Sequence, residues 1–287
     1  MSTLLGQGPL KQIPWYCETD ALALATAWQT QLTGAGLPVP RILRTTTGGA
    51  WFEIAESRFT LTEYVPGRRY TGTPADRAQA GRTMALLHAA KADVPDGPTE
   101  NAFDGAINHI ALARDVTDVP NAVLDMMEYE VHAWALRADA ADWGSLTRQL
   151  THGDTNPWNL IYAAGGPATL IDFDNAHRGP SLRDLAEALL SFCSVHYQHD
   201  STNFAAILPG RINRGLAADI LNAYTSVRRL APAESACLPL AGGAVAVGLV
   251  CLGLMRGDFP RHMAGDLANW ATAVPADITS LLGGLQR

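Results

Sequence analysis

The sequence predicts an α+β fold, with a small strand-containing N-terminal unit (1–66) ahead of a larger helical one (67–287). Three observations carry this. Residues 41–67, "RILRTTTGGAWFEIAESRFTLTEYVPG", alternate apolar and polar side chains around Gly48-Gly49, the pattern of strands joined by a turn. From "TPADRAQAGRTMALLHAA" (73–90) onward the period is helical. Within that helical part, "NLIYAAGGPATLIDF" (159–173) sets a short hairpin around Gly-Gly-Pro.

Taken in order, residues 20–33 read as a helix begun by Asp20 and stopped by Gly34 and Gly36. The strands of 41–67 turn at Gly48-Gly49, and Pro66-Gly67 ends the last of them. In 73–90, Ala80, Met84, Leu87 and His88 share one helical face. Residues 121–140 and 213–230 read as further amphipathic helices. The uncharged run "SACLPLAGGAVAVGLVCLGLM" (235–255) is long enough to cross a bilayer. Pro239, Gly242, Gly243, Gly248 and Gly253 interrupt it and no aromatic belt flanks it, so a buried helix packed through small residues is expected.

Bulk properties narrow the function classes. At 287 residues the chain makes one large domain or two smaller ones, with ordinary proportions of hydrophobic (47%) and charged (17%) residues. A net charge of −7 gives a nucleic-acid partner no electrostatic support and suits a cationic small substrate. Cys17, Cys193, Cys237 and Cys251 form no CxxC pair; buried thiols in a reducing cytosol are expected. The first residues, "MSTLLGQGPLKQIPW", lack a basic region followed by an apolar run, so a cytoplasmic protein without a secretory signal is expected.

The chemistry concentrates in "THGDTNPWNLIYAAGGPATLIDFDNA" (151–176). Asp154 precedes Asn159 by five positions and Asp172 by eighteen. Kinase catalytic loops of the H-R-D-L-x-x-x-N type show the same Asp-to-Asn interval, and Asp172-Phe173 matches the start of D-F-G, with Asp174 in the glycine's place. Phosphoryl transfer needs charge neutralisation more than covalent chemistry. A carboxylate and an amide oxygen are hard ligands for Mg2+, and a further carboxylate beside the acceptor hydroxyl can take its proton.

"HGDTNPWNLIY" with "LIDFDNAHRGPSLRDLAEAL", including Asp184-Leu185-Ala186, resembles the aminoglycoside phosphotransferase and choline kinase superfamily. "FTLTEYVPG" is similar to its hinge strand and "MALLHAA" to its helix ending in Leu-His. The resemblance implies a bilobal protein-kinase-like fold. It implies Mg-dependent transfer of the γ-phosphate of ATP, or GTP, to a hydroxyl of a small molecule. An aminoglycoside-like or other antibiotic, as in antibiotic resistance, or an amino alcohol would be the acceptor. Asp154 is implied as the catalytic base, and Asn159, Asp172 and Asp174 as metal ligands. His152 and Asp184 would support the loop structurally, Glu63, Tyr64 and Val65 would meet the adenine, and Lys11 the phosphates.

The front of the chain departs from that pattern. Only ten residues precede Lys11, leaving Gly6 and Gly8 to supply a shortened phosphate loop. Helix 20–33 holds no Glu to pair with Lys11, and Glu18 lies just ahead of it. A catalytically altered or inactive kinase-like binding protein is the alternative reading. Trp158 is expected to pack under the catalytic loop. His196 and His199 are expected as surface or pocket polar residues, and Arg68-Arg69 and Arg228-Arg229 as solvated charges. No nucleic acid and no membrane are expected as partners, and the oligomeric state is left open.

Overall fold

The computed structural model describes residues 9–14, 17–90, 101–163, 166–193 and 210–285. In the N-terminal part, β1 (Leu10–Gln12), β2 (Trp51–Ile54) and β3 (Ser57–Leu61) form an antiparallel sheet in the order β1-β3-β2. Helix α1 (Thr19–Gly34) has Asp20 in its first turn, where a negative charge meets the positive end of the helix dipole. Its Leu22 packs with Ile13 and Trp51 of the sheet side, while Leu24, Trp28 and Leu32 join the main core. One helix therefore binds the sheet to the rest of the molecule.

Two sequence expectations fail in this part. The β2–β3 reversal lies at Ala55-Glu56, where register pairs Ile54 with Ser57 and φ is 46° and 66°. Gly48 instead closes a separate turn, in which the N–H of Thr45 donates to the carbonyl of Gly49 at 2.9 Å. The reading followed the glycines because neither Ala nor Glu favours positive φ. Strand β3 also ends at Leu61 rather than at Pro66-Gly67, followed by one isolated bridge between Thr62 and Ile42.

Gly67 has a packing role. A Cβ there would stand 2.7 Å from Ile161 Cγ2 and 2.8 Å from the Tyr162 carbonyl. Without it the next residue, Arg68, comes close enough to exchange both backbone hydrogen bonds with Tyr162, at 3.0 and 2.8 Å. The connection between the two parts is thereby stitched to the hairpin of the catalytic stretch.

The larger part contains α2 (Pro74–Ala89), α3 (Ala102–Val116), α4 (Asn121–Ala140), α5 (Leu182–Phe192), α6 (Arg214–Val227), α7 (Pro232–Arg256) and α8 (Ala264–Leu285). Helix α2 starts with Thr73 accepting from the Asp76 N–H and Pro74 in its first turn, and it buries Ala80, Met84, Leu87 and His88 as expected. Helix α7 is 94% buried across its most apolar window, so its uncharged run is core. A Cβ at Gly243 would strike Trp134 of α4 at 2.7 Å and Pro275 of α8 at 2.8 Å, so small residues set these helix spacings. All four cysteines are free and buried. Strands β4 (Arg148–Thr151) and β7 (His177–Pro180) pair, as do β5 (Leu160–Ile161) and β6 (Thr169–Leu170), and these ladders frame the site.

The arginine pairs are not all solvated. Arg68 binds buried Asp76 with two bonds, at 2.6 and 2.9 Å, and lies 5.4 Å from the Tyr162 ring centroid. Arg228 holds Glu234 at 2.5 Å and the Tyr224 hydroxyl at 3.1 Å. Trp158 packs against the core. Gly6, Gly8, His196 and His199 lie outside the described residues.

Candidate active site

The site grows from the loop after β4. Gly153 has φ +79°, and a Cβ on it would sit 2.2 Å from the Asn175 carbonyl, so only glycine fits between His152 and Asp154. Buried Asp184, in the first turn of α5, fixes this loop. Its two oxygens accept the N–H groups of His152 at 2.6 Å and Gly153 at 2.9 Å, and His88 Nε2 lies 3.1 Å from the first. Burial pushes the Asp184 carboxyl up, but the bond and charge of His88, with His152 and Arg183, outweigh it. The net result lies well below the ordinary range. His152 ties the loop to the strand ahead of Asp172: its Nε2 is 2.9 Å from the Ile171 carbonyl and its ring meets Phe173 edge-on at 4.8 Å.

Asp154 is held by two amides. Asn156 Nδ2 donates to Oδ1 at 2.5 Å, while Asn159 Nδ2 donates to Oδ2 at 2.8 Å and to the Asp154 main-chain oxygen at 2.9 Å. With its NH2 so engaged, Asn159 has a carbonyl oxygen as its remaining donor for a cation. Glu187, buried on α5, lies close enough to Asp154 for the two carboxyl groups to act on one another. Burial and the Asp154 charge push its carboxyl well above the ordinary range, which favours its protonated form. Sequence reasoning missed Asn156 and Glu187. The only available signals were Asn156's place two positions after Asp154 and Glu187's place one turn after Asp184.

Asp172 takes φ +70°, a strained conformation for a non-glycine residue and one that aspartate tolerates better than most. Lys11 of β1 donates to Asp172 Oδ1 and, at 2.5 Å, to Asp174 Oδ2. Its counter-charges thus come from the helical part, in the absence of any Glu in α1. Burial lowers the Lys11 pKa, yet Asp172 and Asp174 together raise it on balance; burial raises Asp174 against the pull of Lys11.

These groups line one side of a cleft with about 1330 Å3 of space not filled by atoms. Leu22, Ala25 and Gln29 of α1 form another wall, and Glu63, Tyr64, Val65 and Arg69 an edge. Ile161, Ile171 and Phe173 supply apolar surface beside the carboxylates. The Glu63 side chain turns toward Arg41, at 3.4 Å, and its N–H donates to the Arg41 carbonyl at 2.8 Å. Lys11, Glu63, Tyr64, Val65, Asp172 and Asp174 therefore share a cleft. The main-chain carbonyl of Asn159 accepts the Ile171 N–H at 2.9 Å, which sets Asn159, and Asp154 bonded to it, beside the residue that precedes Asp172.

The donor set fits a hard divalent cation. No group of three or more His, Cys, Asp or Glu side chains suited to a metal occurs among the described residues. The candidates are instead two carboxylates and an amide oxygen, all hard donors. The Lys11 ammonium, held between Asp172 and Asp174, shows that the pair already accommodates a positive charge.

Known proteins resemble this chain in sequence and in fold. The chain is 26% identical over 236 residues to a homoserine kinase of Gluconobacter oxydans (strain 621H), across 80% of this chain and 66% of that protein. The chain thus spans just under two thirds of that relative's length. An aminoglycoside phosphotransferase from Alicyclobacillus acidocaldarius superposes with a TM-score of 0.66 at 16% identity, over 96% of this chain and 85% of that one. The amicoumacin kinase hAmiN, solved with AMP-PNP, Ca2+ and Ami, gives 0.64 at 13% identity, over 93% and 80%. These solved structures share the bilobal fold, a small strand-bearing part ahead of a larger helical one. The sequence pattern of the phosphotransferase enzyme family (APH) matches residues 18–231, and the chain belongs to that family.

Proposed function

We propose that the protein transfers the γ-phosphate of ATP, or of GTP, to a hydroxyl of a small molecule with the help of Mg2+. One observation carries this reading: Lys11, Asp172 and Asp174 share a cleft with Glu63, Tyr64 and Val65, and Asn159, which holds Asp154, bonds the Ile171 N–H just ahead of Asp172. The family match, the homoserine kinase relative and the hAmiN complex with AMP-PNP and Ca2+ support it.

In this reading residues 1–66 form the nucleotide side and 67–287 carry the catalytic loop and acceptor side. The base of the nucleotide lies against Ile161 and Ile171, with backbone groups of Glu63 and Val65 as its hydrogen-bond partners and Tyr64 at the rim. Asn159, Asp172 and Asp174 would hold Mg2+, which would neutralise phosphate charge. Lys11 passes from the two carboxylates to the phosphates. Asp154, oriented by Asn156 and Asn159, takes the proton of the acceptor hydroxyl. His152 and Asp184 keep the loop in place. A cytoplasmic setting follows from the nucleotide requirement, and antibiotics, aminoglycosides among them, belong among the acceptors to be screened.

The rival reading, a kinase-like protein that no longer turns over, draws on the same ion triad: Lys11 already satisfies Asp172 and Asp174. Titration calorimetry with ATP and Mg2+, followed by phosphate-transfer assays over hydroxylated small molecules, separates the two. The kinase reading expects binding and turnover, with turnover lost in Asp154→Ala at unchanged ATP·Mg affinity; wild-type silence toward ATP·Mg favours the rival.

A further inference from the structure

Beneath the catalytic loop, a chain of polar side chains runs from α5 through α2 and α6 to the junction of α6 with α7. Arg228, at the C-terminal end of α6, donates from Nη1 to the Tyr224 hydroxyl at 3.1 Å and from Nη2 to Glu234 of α7 at 2.5 Å. The Tyr224 hydroxyl lies 3.0 Å from Nδ1 of His88, in the last turn of α2, and His88 Nε2 lies 3.1 Å from Asp184 Oδ2. Tyr224, His88 and Asp184 are all buried. Both ends of the chain are one-way groups, because a guanidinium only donates and an ionised carboxylate only accepts. Burial works to raise Asp184, yet the bond and charge of His88 hold it well below the ordinary range, so it stays ionised. Burial also pushes the Tyr224 phenol up to about 12 against the pull of Arg228, so the phenol keeps its proton. With Arg228 donating to the hydroxyl oxygen, that proton goes to His88 Nδ1. The ring's own N–H is then left on Nε2, facing Asp184.

We propose that Tyr224, oriented by Arg228, is a positioning residue for the proposed base Asp154, acting through His88 and Asp184. The inference rests on the kinase reading above and adds to it two residues of α6, a helix that lines no part of the nucleotide cleft. The coupling is short. Asp184 Oδ2 meets both His88 Nε2 and the His152 N–H, at 3.1 and 2.6 Å, and Oδ1 accepts the Gly153 N–H at 2.9 Å. Those two N–H groups belong to the residues directly before Asp154, so the place of the Asp184 carboxylate sets where the loop presents its base. Without the phenol O–H, Nδ1 becomes a buried acceptor with no donor, and the ring keeps one tether instead of two. Its hold on Asp184 loosens, and the shift passes to the loop. A small displacement of Asp154 is costly, because proton transfer needs the acceptor hydroxyl within hydrogen-bond reach. Glu234 fixes the outer end, since it holds Arg228 and also accepts the Ala231 N–H at 2.9 Å. Phenylalanine at 224 keeps the ring and its edge-on contact with His88, centroids 5.7 Å apart, and removes the hydroxyl alone.

The test uses the full chain. Tyr224→Phe, Arg228→Lys and Arg228→Met are measured beside the wild type, the last together with Glu234→Gln so that no carboxylate is left unpaired, with melting curves as folding controls. Turnover is read as ADP release from ATP and Mg2+, with L-homoserine, choline and kanamycin offered as phosphate acceptors. Tyr224→Phe is expected to lower kcat about tenfold while the KM for ATP and the calorimetric ATP·Mg affinity stay within about twofold. Arg228→Met lowers kcat about threefold in the same way, and Arg228→Lys restores most of that loss. Long-range nitrogen–proton correlation spectra of the histidine rings, with His88 assigned by its disappearance in His88→Gln, give a second reading that needs no turnover. Wild-type His88 is expected to carry its proton on Nε2 with Nδ1 hydrogen-bonded, and Tyr224→Phe to move the Nδ1 signal toward that of an unbonded ring nitrogen. A wild-type proton on Nδ1 instead of Nε2 overturns the proposal. So does a Tyr224→Phe enzyme that melts earlier but keeps kcat within about twofold where it is folded, the mark of a packing role alone. If Tyr224→Phe fails to fold, the wild-type spectrum and the Arg228 variants decide. Wild-type failure to bind ATP·Mg overturns instead the kinase reading beneath it, and the ring spectra still judge the chain from Arg228 to Asp184.

Discussion

Lys11 occupies the position where the proposed metal chemistry starts, since its ammonium bridges Asp172 and Asp174 before any nucleotide arrives. A divalent ion entering alone must compete with that ammonium, whereas a nucleotide offers Lys11 its phosphates in exchange. Lys11→Met is therefore expected to bind Mn2+ about tenfold more tightly than wild type without nucleotide, as two carboxylates lose their internal counter-ion. The same variant should raise the KM for ATP by about tenfold or more. Titration of free Mn2+ by electron paramagnetic resonance checks the first effect and steady-state kinetics the second; unchanged Mn2+ affinity would remove Lys11 from the ion-holding role. At this scale Asp154, Asn159 and Asp172 were legible as spacing along the chain. The partner of Lys11, 161 positions away, was not, because nothing local signals a contact made across the cleft. Asn156 and Glu187 escaped for a similar reason: one turn of helix decides whether Glu187 faces solvent or Asp154.

Among the elements, the β2–β3 hairpin shows how a turn can form against residue preference. Ala55 and Glu56 both hold positive φ, a two-residue reversal that Asn and Gly satisfy at far lower cost. The strands dictate the register: Trp51 opposes Thr60, and Phe52 stacks on Phe59 with ring centroids 5.8 Å apart. Pairing energy thus overrides turn chemistry, which is why a reading led by Gly48-Gly49 placed the turn too early. The double variant Ala55→Asn with Glu56→Gly should relieve strain and raise stability by about 1 kcal/mol, or a few degrees in melting temperature. A fall in melting temperature would show that the backbone at 55–56 is not the strained element. Helices α1, α2 and α4 were legible nearly to their ends, because the apolar period and the flanking Gly and Pro residues are written locally. For α7 the sequence indicated burial, while its neighbours were fixed only by which large side chains fill the glycine gaps, such as Trp134 over Gly243.

For the whole molecule, acidic groups buried at three places give stability an opposed dependence on pH. Asp76, wedged under Arg68 and the Thr71 N–H, and Asp184, beneath the catalytic loop, both titrate well below the usual 3.8 despite burial that works to raise them. A depressed carboxyl contributes stability that is complete above its unfolded pKa and is lost as pH falls through the folded one, so these two stabilise above about pH 4 and fail below it. Glu187 acts in the other direction. Burial and Asp154 raise its pKa, so the fold favours its protonated form, and that contribution is lost as pH rises above the ordinary 4.5 through the folded value. Melting temperature should therefore peak in the mildly acidic range and decline on both sides. Glu187→Gln, which keeps the size of the side chain and cannot ionise, should flatten the higher-pH decline, standing several degrees above wild type near pH 8 and level with it near pH 4.5. Asp184→Asn should instead shrink the acid limb while weakening the fold throughout, since a carboxamide supplies one oxygen where the His152 and Gly153 N–H groups now use two. Scanning calorimetry at constant ionic strength from about pH 3 to pH 9 resolves both limbs. Parallel curves for wild type and Glu187→Gln would mean that Glu187 ionises in the fold as it does in the unfolded chain.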